Sequence, residues 1–259
     1  MLDIFPIPIN AFQQKRRIQV YLPQIYQLSQ KKYPVLYMHD GQNVFRNDDA
    51  IGGISLELEK YLDEKGLDVI VVAIDQNSSE RKNEYCPWEN GAYSQKFLRA
   101  DSPSFGGKGK QYLEFIVEEL KPYIDEKYRT IKNHTAMAGI SMGSLISLYA
   151  ACHYPKVFTD LILFSSAFYA NQEKIEELVE KADLSKISSL YMDCGTGEAG
   201  IGTSTSREFL ASNNSVYELL RSKVPAVNFN VLEGEQHNYR SFQKRIPRLF
   251  SFLDSEGIR

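Results

Sequence analysis

The chain has 259 residues, 43% of them hydrophobic, which suffices for the core of one catalytic domain, because α/β domains reach about 250 residues undivided. Its 30 basic and 33 acidic side chains are interspersed and leave a formal net charge of −3. No basic block is available to neutralise a phosphate backbone, so nucleic acid is excluded as a partner.

The opening MLDIFPIPINAFQQKRR carries its basic cluster after the apolar stretch, the reverse of a secretory signal. No apolar run, Val69–Ile74 included, approaches the roughly 18 residues of a membrane span. Arg16–Leu22 alternates polar and apolar residues and reads as an antiparallel edge strand. Then come near-continuous apolar runs typical of buried parallel strands: Val35–His39, Val69–Ile74, Thr135–Gly139, Leu161–Phe164, Leu190–Cys194 and Val227–Leu232. Between and after them, helical spacing predicts helices over Leu56–Lys65, Tyr112–Lys127, Leu145–His153, Ile175–Lys181, Arg207–Lys223 and Tyr239–Leu253. The expected architecture is α/β: a mostly parallel central sheet with helices on both faces, in a single domain spanning 1–259.

One irregular insertion, Gln76–Lys108, is too long for a connector and leaves the carboxyl end of a strand, where open α/β sheets bind ligands. Its aromatics Tyr85, Trp88, Tyr93, Phe97 and Phe105 suit either a pocket wall or loop anchors, and its cations include Arg81, Lys82 and Arg99. Tyr85, Trp88 and Arg81 are the expected substrate contacts. Gly106-Gly107-Lys108-Gly109-Lys110 lacks the spacing of a phosphate loop and reads as a flexible start to the next helix.

The central chemical signal is Gly139-Ile140-Ser141-Met142-Gly143, a G-x-S-x-G between a predicted strand and a predicted helix. A nucleophile there sits on a sharp, strained turn, and glycines two residues to either side remove colliding side chains. The backbone N–H of Met142 starts the helix and is one expected oxyanion donor; Gly41 or Gln42, in the loop His39-Asp40-Gly41-Gln42-Asn43, supplies the other. A serine hydroxyl needs a base near neutral pKa. Of four histidines, only His237 follows every later strand, where a Ser, acid, His chain order puts it. His39 and Asp40 read as a structural hydrogen-bonding pair. The acid belongs on the loop after the penultimate strand, and Asp193 and Glu198 compete for the role; Asp193 lies within the strand run, where it could instead tie down a neighbouring loop, so Glu198, beyond the turn Gly195-Thr196-Gly197 and able to reach back across the sheet edge, is favoured. Cys86, Cys152 and Cys194 cannot all pair, and no Cys/His metal spacing occurs, so reduced thiols, a cytoplasmic location and no metal or cofactor are expected.

These segments resemble the putative-esterase family of α/β hydrolases, which includes enterochelin-type siderophore esterases, feruloyl esterases and esterase D-like enzymes. The likeness is carried by Val20–Pro23, Tyr33–Asn43, Leu120–Asp125, Ala138–Gly143 and Asp193–Glu198, and it covers nearly the whole chain. It implies the α/β-hydrolase fold, an acid after a C-G-T turn at Glu198, and a histidine ending a Gly-x-x-His segment, Gly234 to His237. Some members carry aspartate where this chain has glutamate. The expected activity is serine-dependent hydrolysis of small acyl esters through Ser141, His237 and Glu198. Siderophore trilactone cleavage, acyl transfer and a non-catalytic binding role are the rivals. The expected partner is a small-molecule ester, with no membrane, and the oligomeric state stays open.

Overall fold

In the computed structural model, residues 1–98 and 103–255 are described. Eight strands form one sheet: β1 (Leu2–Ile9), β2 (Gln14–Tyr21), β3 (Tyr33–Met38), β4 (Ile70–Ile74), β5 (Thr130–Ile140), β6 (Asp160–Phe164), β7 (Ser189–Gly195) and β8 (Val227–Leu232). Their spatial order is β1-β2-β4-β3-β5-β6-β7-β8. The pairings β1/β2 and β2/β4 are antiparallel and the rest parallel.

Strand alternation sorts side chains onto two cores. Val35, Tyr37, Ile70 and Val72 face one hydrophobic cluster, whereas Leu36, Met38, Val71 and Ala73 face the other. The first face is covered by α4 (Gly109–Glu114), a π-turn (Phe115–Leu120), α5 (Lys121–Lys127), α6 (Met142–His153), α7 (Gln172–Lys181) and α8 (Ser204–Leu220). The second is covered by α1 (Leu58–Lys65), α9 (Tyr239–Gln243) and α10 (Ile246–Ser255), through residues such as Leu62, Phe242, Ile246 and Leu249. This is the mostly parallel, doubly covered α/β sheet expected from the sequence.

Several details differ from that expectation, among them the helix over Tyr239–Leu253, which is divided into α9 and α10. The strand over Arg16–Leu22 is antiparallel but not an edge, because β1 lies outside it. β1 contains Pro6 and Pro8, which an edge strand tolerates because its outer side needs no donor. At the opposite edge β8 is only partly buried, with Val231 49% exposed, so it is not a strand covered on both faces. The helix over Tyr112–Lys127 is continuous but carries the π-turn within it, where Lys121 N–H donates to the Ile116 carbonyl five residues back. Pro122, in the first turn of α5, has no N–H to continue the regular ladder. The insertion after β4 contains two short helices, α2 (Arg81–Tyr85) and α3 (Ala92–Phe97), and Gly106 bridges Glu89. A Cβ on Gly106 would lie 2.1 Å from the Trp88 carbonyl oxygen, so that glycine serves a close backbone approach rather than a loose hinge.

Candidate active site

Ser141 joins β5 to α6 at φ 62 and ψ −121, a region costly for a residue with a Cβ. The neighbours hold it there. Ser141 N–H donates to the Phe164 carbonyl at 2.9 Å, and the Ala167 N–H donates to the Ser141 carbonyl at 3.0 Å. Ser144 Oγ donates to the Gly139 carbonyl at 2.7 Å. The two flanking glycines are not equivalent. A Cβ on Gly139 would lie 2.1 Å from Gly143 backbone atoms, whereas one on Gly143 would meet His39 Cβ at 3.3 Å.

Ser141 and His237 line one cavity of about 280 Å³, together with Asp40, Arg81, Ile140 and Tyr239. His237 lies between β8 and α9, its ring edge-on to Phe209 and Phe242 at centroid distances of 5.5 and 5.3 Å. Asn238 follows it and caps α9, accepting from Ser241 N–H at 3.0 Å. The cleft lies at the carboxyl ends of the parallel strands, as the order of the chain demands.

Glu198, not Asp193, meets the imidazole: His237 Nδ1 is 2.7 Å from Glu198 Oε2. A carboxylate can only accept, so Nδ1 carries the proton and Nε2 is left as the basic nitrogen. Glu198 Oε1 accepts from Gly195 N–H at 2.6 Å and from Ser165 Oγ at 2.5 Å. Burial alone raises the Glu198 carboxyl, but the bonds from His237, Ser165 and Gly195 outweigh it and hold the group below the usual carboxylate range. Asp193 is paired elsewhere, accepting from Arg245 Nη1 at 2.8 Å and from Tyr191 OH at 3.1 Å. Burial pushes it up to about 6 against the opposing pull of Arg245.

The loop after β3 closes the other side. Asp40 is left-handed at φ 57 and accepts from Arg81 in a fork, Nε to Oδ1 at 2.7 Å and Nη2 to Oδ2 at 2.8 Å. Burial opposes the Arg81 charge, and Asp40 more than restores it, raising its pKa. Gly41 packs on the end of β4, where a Cβ would lie 2.6 Å from Asp75 Oδ1 and 2.7 Å from Asp75 N. Gln42 clasps the next segment, donating Nε2 to the Gln76 carbonyl at 2.8 Å and accepting Gln76 N–H at 2.9 Å. Met142, as first residue of α6, has an amide that no carbonyl of its own helix can reach.

Of the expected substrate contacts, Arg81 lines the cleft and the other two do not. Tyr85 is fully buried and its hydroxyl accepts from Asp40 N–H at 3.1 Å. Trp88 packs edge-on against Tyr149 and its carbonyl accepts from Asn171 Nδ2 at 2.9 Å. Both anchor the insertion because their rings are worth more in the core than in water. Phe97 instead stacks on Tyr169 at 4.1 Å, next to Phe209. Lys82 lies over the Phe105 ring, and Arg99 falls outside the described residues. His39 and Asp40 do not bond to each other: His39 Nδ1 is 3.0 Å from Tyr112 OH, while Asp40 holds Arg81.

Sequence reasoning missed Ser165, which follows β6, and Arg245, between α9 and α10. One signal was available. Arg245 falls three residues after Phe242 and four before Leu249, on the apolar stripe of a predicted helix, where an arginine needs buried partners.

Residues 9–253 match the family described as Putative esterase. The chain belongs to that family. It is a carboxylic ester hydrolase by that membership. This esterase is 25% identical over 244 residues to YbbA of Bacillus subtilis (strain 168), covering 92% of each chain. It is 28% identical over 241 residues to YjcH of the same organism, covering 90% of each. Its fold is shared with an IroE-like serine hydrolase from Shewanella oneidensis at TM-score 0.78 and 20% identity, covering 98% of this chain and 81% of that one. A ferulic acid esterase aligns at TM-score 0.72 and 21% identity, covering 99% and 98%. The enterobactin esterase FES from Shigella flexneri aligns at TM-score 0.75 and 13% identity, covering 98% and 59%.

Proposed function

We propose that this esterase hydrolyses small carboxylic esters, such as acetyl or aryl esters of sugars or alcohols, through an acyl-enzyme on Ser141. The observation that carries the reading is one cleft holding the elbow serine and a histidine whose Nδ1 is bonded to a buried carboxylate. His237 Nε2 takes the Ser141 proton as Oγ attacks the ester carbonyl, and the carbonyl π pair moves onto oxygen. The amides of Met142 and of Gly41 or Gln42 receive that oxyanion, with the start of α6 adding its positive end. Imidazolium formation is favoured by Glu198, whose Oε2 accepts from Nδ1 throughout. Collapse expels the alcohol with the proton from Nε2, and water repeats the cycle on the acyl-enzyme.

A cavity of about 280 Å³ sits just below the usual range for drug-sized ligands, which supports a small acyl group held inside and an alcohol reaching outward. Arg81, fixed by Asp40, offers a donor to an oxygen of the substrate. The second reading is a siderophore lactone, supported by solved structures of similar fold titled siderophore hydrolase EstA and EstB from Aspergillus nidulans. The pairing of Arg81 with Asp40 weighs against it, because the charge available to an anionic ferric complex is already offset. Acyl transfer to an alcohol would use the same acyl-enzyme. The three cysteines are free and suit a reducing compartment such as the cytoplasm, and among the described residues no helix is long and apolar enough to cross a membrane.

The test is initial hydrolysis rates over p-nitrophenyl acyl esters of rising chain length, methyl ferulate, an acetylated sugar and a ferric trilactone. Ser141→Ala should lower kcat by about 10³-fold or more while the thermal transition stays in place. Full activity in that variant would sink the mechanism. Preference for the trilactone would favour the second reading, and failure of a fluorophosphonate to label the native protein would favour a binding role.

A further inference from the structure

Behind the Glu198 carboxylate lies a buried polar group that the reaction, as derived above, leaves without a role. Ser165 follows the last residue of β6 at φ 44, and its N–H donates to the Asp193 carbonyl at 2.9 Å, tying it to β7. Its hydroxyl lies between two partners, 2.7 Å from Arg245 Nη1 and 2.5 Å from Glu198 Oε1. Arg245 is 2% exposed; its Nη1 also donates to Asp193 Oδ1 at 2.8 Å and its Nη2 to Ser241 Oγ at 2.9 Å. A guanidinium has donors only. It fixes the polarity of the hydroxyl, whose single proton must point at Glu198.

We propose that Ser165 is a positioning residue for Glu198, orienting its carboxylate toward His237 and holding Arg245 off it. The proposal rests on the Ser141, His237, Glu198 reading. Two donors on Oε1, Ser165 Oγ and Gly195 N–H, leave Oε2 as the atom that meets Nδ1. The hydroxyl also works as a spacer. Arg245 Nη2 is 3.9 Å from Oε1, so the arginine reaches Glu198 through Ser165 rather than in full ionic contact. With Asp193 and Glu198 both ionised, this buried group carries one uncompensated negative charge, next to the imidazole that becomes positive during attack. The left-handed backbone at Ser165 is one glycine would adopt freely, so nothing about the turn itself requires a hydroxyl.

Removing the hydroxyl leaves Arg245 short of a buried acceptor, and closing on Oε1 is its nearest remedy. That contact draws the carboxylate charge away from His237 and lowers the proton affinity of the imidazole. Ser165→Gly relieves the backbone and Ser165→Ala retains it, so the two separate the hydroxyl from the turn. The charged or titratable groups around His237 are Glu198 with Arg245 and Asp193 behind it, Glu235 on its own loop, and Asp40, Arg81 and Tyr239 lining the same cleft.

The experiment measures kcat, KM and the pH profile of kcat/KM on p-nitrophenyl acetate for Ser165→Gly, Ser165→Ala, Glu198→Gln and Ser165→Gly/Glu198→Gln, with a thermal melt of each. Expected is a loss of kcat of up to about 100-fold in both Ser165 variants, with the acidic limb of kcat/KM moved to lower pH. KM should stay within about twofold, and the loss should vanish in the Glu198→Gln background. Wild-type kcat and limb in a folded Ser165→Gly, alongside a loss in Glu198→Gln, would overturn the proposal and leave the triad standing. A loss that persists in the Glu198→Gln background would assign Ser165 another route and overturn it too. No loss in Glu198→Gln itself would remove the triad reading and this proposal with it.

Discussion

His39 illustrates how burial reverses the expected behaviour of a residue next to the chemistry. Desolvation lowers its pKa from 6.5 to about 4, with Arg81 acting in the same direction and Asp40 against. Among the described residues its Nε2 has no hydrogen-bond partner. The folded protein therefore keeps His39 neutral while the unfolded chain takes up a proton below pH 6.5. Stability is full above that pH and falls as pH drops toward 4. Between pH 7 and pH 5 the loss from this group is about 2 kcal/mol. Urea denaturation of wild type and His39→Gln at both pH values checks it: the variant should lose less by that amount, and equal losses would rule His39 out. The pair Asp193 and Glu198 shows the limit of reading residues from sequence. Their place, Asp193 near the end of β7 and Glu198 just beyond it, was legible. Which of them meets His237 depends on Arg245, some fifty residues later, because the carboxylate that pairs with a buried guanidinium is no longer available to the imidazole.

At the scale of elements, the strand-turn-helix around Ser141 was plain in the sequence because its steric demands are local. The two glycines make a graded test of it. Gly139→Ala forces a Cβ to 2.1 Å from the Gly143 backbone and should cost at least 1–3 kcal/mol, with a disproportionate loss of activity as the elbow opens. Gly143→Ala meets only His39 Cβ at 3.3 Å and should be milder in both thermal melting and ester turnover. Equal effects would mean that crowding at the turn is not what selects glycine. Elements whose cause is not local were read less well. β1 was passed over because two prolines hide its alternation, and they are tolerated only because the strand lies at the sheet edge. The insertion after β4 looked irregular because α2 and α3 are too short to show helical periodicity. Tyr85, at the end of α2, and Trp88, in the segment between α2 and α3, read equally well as substrate contacts or as anchors, since nothing in the sequence says which way the rings of so short a segment turn.

Across the molecule, the two sides of the sheet have different work. The face covered by α1, α9 and α10 carries the C-terminal segment that also supplies Arg245 and follows His237, so packing there and site geometry are joined. Leu249→Ala removes a fully buried side chain from that face and should cost about 2–5 kcal/mol, a Tm drop on the order of 10 °C. Turnover at 25 °C should survive if the helix repacks; a melt unchanged from wild type would mean the face contributes little. By itself the sequence determined the α/β class, the strand-helix order and the strand-turn-helix around Ser141, and it offered His237 as candidate base and Asp193 and Glu198 as competing acids, since each follows from local periodicity, glycine sterics or order along the chain. Only the tertiary structure decided that Glu198 meets His237, that Arg81 rather than Tyr85 or Trp88 reaches the cleft, and that Ser165 and Arg245 stand behind the carboxylate. Those are contacts between segments distant in sequence, selected by which polar groups must satisfy one another once water has been excluded.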